Sequence, residues 1–197
     1  MRYSISTTAI FLLAMLAACL PAQGHAQSRK IKLGPAEIIT NDTSHFQFPP
    51  TVADFKREPT FTQFDREGRD IGVGYNDLLH GVAATIFVYP IAKQSPNDTL
   101  KGHFGTCKAE VLSKHENVKL LSEGKVQVTS AGQKQDGLHA TFTFTDVFAH
   151  QRQSVRSELY LFTHGQSFVF FRVTYAAGHQ ATDEPAIKAF IDGLAWP

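Results

Sequence analysis

The apolar pattern is densest near the end of the chain. From Phe168 to Tyr175 the sequence FVFFRVTY puts Phe168 and Phe170 on one side of an extended backbone and Val169, Phe171 and Val173 on the other. A strand apolar on both sides is one that is covered twice, which predicts a place in the middle of a sheet. Downstream, Ile187, Phe190, Ile191 and Leu194 recur at i, i+3, i+4 and i+7, the single stripe of an amphipathic helix, with Thr182 or Asp183 placed to cap it. Burying those four side chains is worth about 6–12 kcal/mol gross, at about 1.5–3 each. A helix this short is marginal alone, so it must pack on the sheet.

The rest of the pattern predicts more sheet and one more helix. TFTQF (60–64) and DIGVGY (70–75) flank Asp65-Arg66-Glu67-Gly68, a hairpin turn with a glycine available for positive φ. VAATIFVYP (82–90) is a third strand, ended by Pro90. Before these, residues 27–36 form a basic, polar lead-in. Ala36 to Thr40 reads as a short strand, the turn-rich 41–50 contains Phe48-Pro49-Pro50, which no helix runs through, and Val52 to Phe55 reads as a brief helical turn. Ser95-Pro96-Asn97-Asp98 supplies cap chemistry for a helix carrying Leu100, Phe104, Cys107 and Val111 and reaching about His115, weakened by Gly102 and Gly105.

Three further strand segments follow. Lys119 to Thr129 contains Glu123-Gly124 as a turn or bulge; Ala140 to Phe148 alternates Ala140, Phe142 and Phe144 against Thr141, Thr143 and Thr145; and Ser157 to Tyr175 is a hairpin turning near His164-Gly165. There is no internal repeat, heptad or domain boundary. The expectation is one α+β domain over residues 27–197, an antiparallel sheet of about six or seven strands with a central helix and a C-terminal helix packed on it.

Composition adds a leader and removes several function classes. Arg2 is the only charge in the first 26 residues, so the rest of the chain carries one basic residue fewer than the whole chain's 19, against 18 acidic ones. A balance so close to neutral does not call for nucleic acid. Arg2 followed by the apolar stretch Ile10 to Leu20, too short to span a bilayer, reads as a secretory signal over residues 1–26. Two processing routes are open. Gly24-His25-Ala26 is a small-x-small site that would give a free periplasmic protein, whereas Leu16-Ala17-Ala18-Cys19 resembles the bacterial lipobox and would make Cys19 the lipidated first residue of an outer-membrane lipoprotein. The first is preferred, because the residues after Cys19 lack a Ser/Gly-rich tether. Membrane contact is expected only through that anchor. With Cys19 removed or lipidated, Cys107 has no disulfide partner.

The order of elements, with ATIFVYP (84–90) and the ending FRVTY (171–175), helix, LAWP (194–197), resembles the PsbP-like superfamily, whose members include photosystem accessory proteins and the DcrB-like envelope lipoproteins of bacteria. The resemblance is one of topology and hydrophobic rhythm over most of the chain after the leader. It implies an α/β sandwich and a non-enzymatic role. No functional motif of the family is matched residue by residue, so it assigns no site.

Candidate chemistry is sparse. His103 and Cys107, at i and i+4, meet on one helix face and suggest an activated thiol or half a metal site; the competing reading is that Cys107 belongs to the apolar stripe as a small core residue. His45, His80, His115, His139, His150, His164 and His179 are scattered without paired metal-ligand spacing, so no metal and no cofactor are expected. Gly165-Gln166-Ser167-Phe168 begins like a nucleophile elbow but lacks the second glycine. Gly72-x-Gly74 lies in a strand, where close backbone approach or a bulge explains it. Asn41 and Asn97 head chance glycosylation sequons. Arg172 stands out, because it interrupts the apolar run of a central strand and requires an acidic or carbonyl partner there. It suggests an anion or partner contact in a groove beside the C-terminal helix, with Tyr75, Tyr89, Tyr160 and Tyr175 as further lining; the competing reading is an internal ion pair at the sheet's end. The expected function is a non-catalytic envelope module that binds another envelope protein; the alternative is a small apolar or anionic ligand in that groove.

Overall fold

The computed structural model describes residues 28–92, 99–130 and 132–196. The leader with Cys19, the Ser95 to Asp98 cap segment and Asn97 lie outside the described residues. In chain order the elements are β1 (Arg29–Lys32), β2 (Ile39–Thr40), β3 (Gln47–Phe48), β4 (Thr51–Val52), β5 (Phe55–Gln63), β6 (Ile71–Asp77), β7 (Val82–Pro90), α1 (Leu100–Lys114), β8 (Lys119–Ser130), β9 (Gln133–Phe148), β10 (Gln151–His164), β11 (Ser167–Ala176) and α2 (Gln180–Gly193). The main sheet runs β1-β5-β6-β7-β11-β10-β9-β8, with β4 beside β5, and β2 pairs with β3 separately. Neighbours in the sheet are antiparallel. The class is α+β, as the pattern predicts.

Two meanders meet at the β7/β11 seam. The crossover through α1 takes the chain from the middle of the sheet to its far edge, and β8 to β11 then step back until Phe171 pairs with Ile86. β11 is central, and its alternation sorts the core into two layers. Phe168 and Phe170 join Phe87, Tyr89, Phe142, Phe144, Leu159 and Leu161 under Phe104, Cys107 and Val111 of α1. Val169, Phe171, Val173 and Tyr175 join Ile71, Val73 and Ile86 under Ile187, Phe190, Ile191 and Leu194, the α2 stripe and the residue that ends it. On this side Phe190 stacks on Phe55 with ring centroids 4.3 Å apart, and Trp196 stands edge-on to Phe46 and Phe162, both at 5.1 Å. Neither helix is long and apolar enough to cross a membrane.

Several details differ from the sequence reading. Val52 to Phe55 is a tight hairpin in which Val52 pairs with Phe55 and Ala53 takes φ 49, so the chain reverses instead of coiling. The sheet has nine strands, because β1 and β4 are short edge pieces with no apolar period and β5 reaches back from Thr60 to Phe55. Strand β9 likewise starts at Gln133, where polar residues extend the hairpin with β8. Glu123-Gly124 is not a turn, since β8 runs straight through it and its irregularity falls between Leu120 and Ser122. Thr99 caps α1, its hydroxyl accepting from Gly102 N at 3.1 Å, while α2 has His179 at its N-cap and holds Thr182 and Asp183 in its first turn.

Candidate functional site

On the α2 side of the sheet, Glu158 of β10 is buried. Tyr175 donates to its Oε1 at 2.6 Å, Tyr160 donates to Oε2, and His139 Nε2 lies 3.2 Å from Oε2. The His139 ring stacks on Tyr160 at 4.2 Å. Burial alone would push the Glu158 carboxyl up, but the hydrogen bonds from His139, Tyr160 and Tyr175 outweigh it and hold the group below its ordinary value. Both phenols are pushed up, by burial first and then by Glu158, so they remain donors. The fold brings Tyr160 and Tyr175 together, and it directs both hydroxyls inward. Arg156 connects this network to Glu184 of α2 at 3.3 Å.

Arg172 lies on the other side. It shares the face of Phe168 and Phe170, under α1, and therefore cannot line a groove with Tyr160 and Tyr175 beside α2. Its Nη2 is 3.0 Å from His115 Nε2, and its Nε is 3.4 Å from Ser157 Oγ. His115, which ends α1, stacks on Phe144 at 3.9 Å, with Nδ1 3.7 Å from Asp146. Burial first, and the Arg172 charge second, lower the His115 pKa. A neutral imidazole therefore accepts from Arg172 and fastens the end of α1 to the sheet.

His103 and Cys107 are both in the core under α1. Cys107 is 0% exposed, and His103 stacks on Phe168 at 4.4 Å with Nε2 2.6 Å from the Tyr89 hydroxyl. The Cys107 thiol is therefore shielded from solvent in the folded chain. Gly165 and Gln166 form the β10/β11 turn, with Gly165 at φ 57, and a Cβ on Gly72 would come within 2.9 Å of the Phe87 ring, the close approach that explains this glycine. Asn41 is buried, its Oδ1 accepting from Thr43 N and Ser44 N and its Nδ2 donating to the Arg69 carbonyl oxygen.

Three surface features carry binding potential that single residues in the sequence did not announce. A cleft of about 310 Å³ lies between β1, β2 and the β5/β6 turn, lined by Arg29, Ile39, Phe61 and Arg66 among others. Asp54, Asp77 and His80 converge beside the start of α2; the i, i+3 pair in Asp77-Leu78-Leu79-His80 was the available signal. The third is β8, which ends the sheet opposite β1 with no strand beyond it among the described residues. Its residues are exposed from Lys119 to Lys125, with Leu120 41% and Leu121 45% exposed and Leu112 of α1 46% exposed. Lys108 of α1 pairs with Glu123 of β8, and because helix and strand run in opposite directions from that pair, Leu112 lies toward the Leu120 end.

No family model matches the chain, and no curated protein matches it. Among solved structures it is similar to the cyanobacterial PsbP of Synechocystis, at 12% identity over 90% of this chain and 97% of that one with a TM-score of 0.45. A protein of unknown function from Pseudomonas aeruginosa matches at 10% identity, 82% and 97% coverage and a TM-score of 0.45. The Ran-binding protein Mog1p of Saccharomyces cerevisiae matches at 12% identity, 85% and 92% coverage and a TM-score of 0.41. None of these likenesses assigns a function to this chain.

Proposed function

We propose that the chain is a non-catalytic binding or accessory module of the bacterial envelope, exported by its N-terminal segment and engaging another envelope component along the outer edge of β8. The observation that carries this reading is the edge itself. A twelve-residue strand ends the sheet, and an open strand edge is a template for a partner's backbone. Exposed Leu120 and Leu121 beside Leu112 add apolar area for side-chain contact. By contrast, Glu158, His103, Cys107 and Arg172 are each engaged with neighbours inside the fold. Capture from native envelope fractions tests the reading, with a defined partner as the expected result. Intact mass of the mature N-terminus separates a free periplasmic form from a lipid-anchored one at Cys19.

The second reading, a small apolar or anionic ligand, moves from the neighbourhood of Arg172 to the cleft lined by Arg29 and Arg66. Its sign would be a ligand of a few hundred daltons retained by the purified protein in native mass spectrometry and lost in Arg66→Ala.

A further inference from the structure

We infer that the junction of the β6/β7 turn with the first turn of α2 is a binding site for a divalent transition-metal cation of the zinc kind, held by Asp54, Asp77 and His80 with Asp183 facing it from the helix. Asp54, Asp77 and His80 each present a ligand atom within 4.8 Å of the other two. In the tetrahedral sites zinc prefers, two donors each about 2.0–2.2 Å from the ion lie about 3.3–3.6 Å apart. The three groups are within a side-chain adjustment of coordination.

Three separate elements meet here, and their packing makes them converge. Asp77 lies on the same face of β6 as Val73 and Tyr75, the face covered by α2. Phe190 of α2 packs on both Tyr75 and Phe55, which holds the β4/β5 turn bearing Asp54 against the same helix. Asp183 is four residues before Ile187 and seven before Phe190, on the buried stripe of α2, and so faces the sheet. The start of α2 follows β11, whose last paired residues lie beside the first of β7, and Val82 of β7 pairs with Asp77. Asp183 thus looks into the gap at the end of β6.

The independent sign of a cation is Asp183 itself. It is 1% exposed; its Oδ1 accepts from the Thr182 hydroxyl at 2.8 Å, while its Oδ2 is buried with no hydrogen-bond partner among the described residues. A carboxylate oxygen left so is costly unless a positive charge faces it. Asp77 is oriented in advance. Its Oδ1 accepts from Leu79 N at 2.9 Å and His80 N at 3.1 Å, and its Oδ2 is 2.6 Å from His80 Nδ1. Asp183 and Asp54 both lie near enough to the His80 ring to act on it electrostatically. The metal ion takes the place of the proton shared by His80 and Asp77, and that proton leaves to solvent. A donor set mixing imidazole with carboxylate suits zinc and its neighbours over magnesium or calcium, which take oxygen alone. Exposed Asp54 leaves the site open to solvent.

Calorimetric titration of the exported chain with Zn²⁺ tests this. The expected result is one ion per chain, with affinity reduced by at least about tenfold in Asp54→Asn, an exposed change that spares the core, and in His80→Gln. Asp183→Asn removes the unmatched charge, so it raises the melting temperature of the metal-free protein and shrinks the further rise on adding Zn²⁺. The inference is overturned if the wild-type chain binds no Zn²⁺ at millimolar concentration, if Asp54→Asn and His80→Gln bind as tightly as wild type, or if millimolar Mg²⁺ displaces the ion.

Discussion

The ring of Phe162 occupies the space that any side chain on Gly137 would need. The two residues pair across β9 and β10, and a Cβ on Gly137 would stand 2.4 Å from the ring and 2.7 Å from the Leu161 carbonyl oxygen. The glycine is thus required by an aromatic neighbour on the other strand. Gly137→Ala is expected to lower stability by about 1–3 kcal/mol through overpacking, read as a lower denaturant midpoint with an unchanged slope. A wild-type midpoint would mean that Phe162 does not sit there.

Glu158 should make stability sensitive to acid. Its carboxyl is held below its ordinary value, so the folded state favours the ionised form. That contribution is fully present above the unfolded value of 4.5 and is lost as the pH falls below it toward the folded one. Glu158→Gln is expected to cost about 1–3 kcal/mol at neutral pH and to flatten the acid limb of the stability curve. Parallel curves for the two proteins would contradict the network.

Arg172 and His115 make the opposite kind of pair, a cation beside a ring kept neutral. The His115 pKa is lowered in the folded state, so its contribution is present above the ordinary value of 6.5 and fades as the pH falls below it. Arg172→Met keeps the apolar stem and removes the charge. The His115 resonance should then titrate at higher pH, though still below its ordinary value because burial remains. Arg172→Ala should lower the denaturant midpoint further than Arg172→Met. An unmoved His115 titration would sink the pairing.

Cys107 is enclosed by the α1 side of the core, and its thiol should not react with an alkylating reagent until the protein unfolds. Rapid stoichiometric labelling under native conditions would restore the reactive-thiol reading.

Much of the fold is legible in the chain because double burial leaves an unmistakable trace. The apolar run of β11 and the stripe of α2 could arise only from a covered strand and a half-covered helix. Edge pieces such as β1 and β4 leave no such trace, since they are held by backbone hydrogen bonds that any sequence can make. The candidate site was harder to read. Period-two alternation already separates Arg172, with Phe170, from Tyr175, with Phe171, so their shared groove could have been rejected from the sequence. Which helix covers which face depends on the crossover through α1, however, and no local pattern records that. Glu158 meets His139 through strand pairing 19 residues apart, and Asp183 comes near His80 only once α2 folds back. Those relationships exist in register and topology.

The most direct test of the binding-module account is paired capture from native envelopes with the wild-type chain and with a Leu120→Lys, Leu121→Lys variant. Both positions are exposed, so the variant should fold with an unchanged melting temperature while placing charge along the β8 edge. The account predicts that the wild type recovers a defined partner in stoichiometric amount and that the variant loses it. Recovery of the same partner by both proteins would contradict the account.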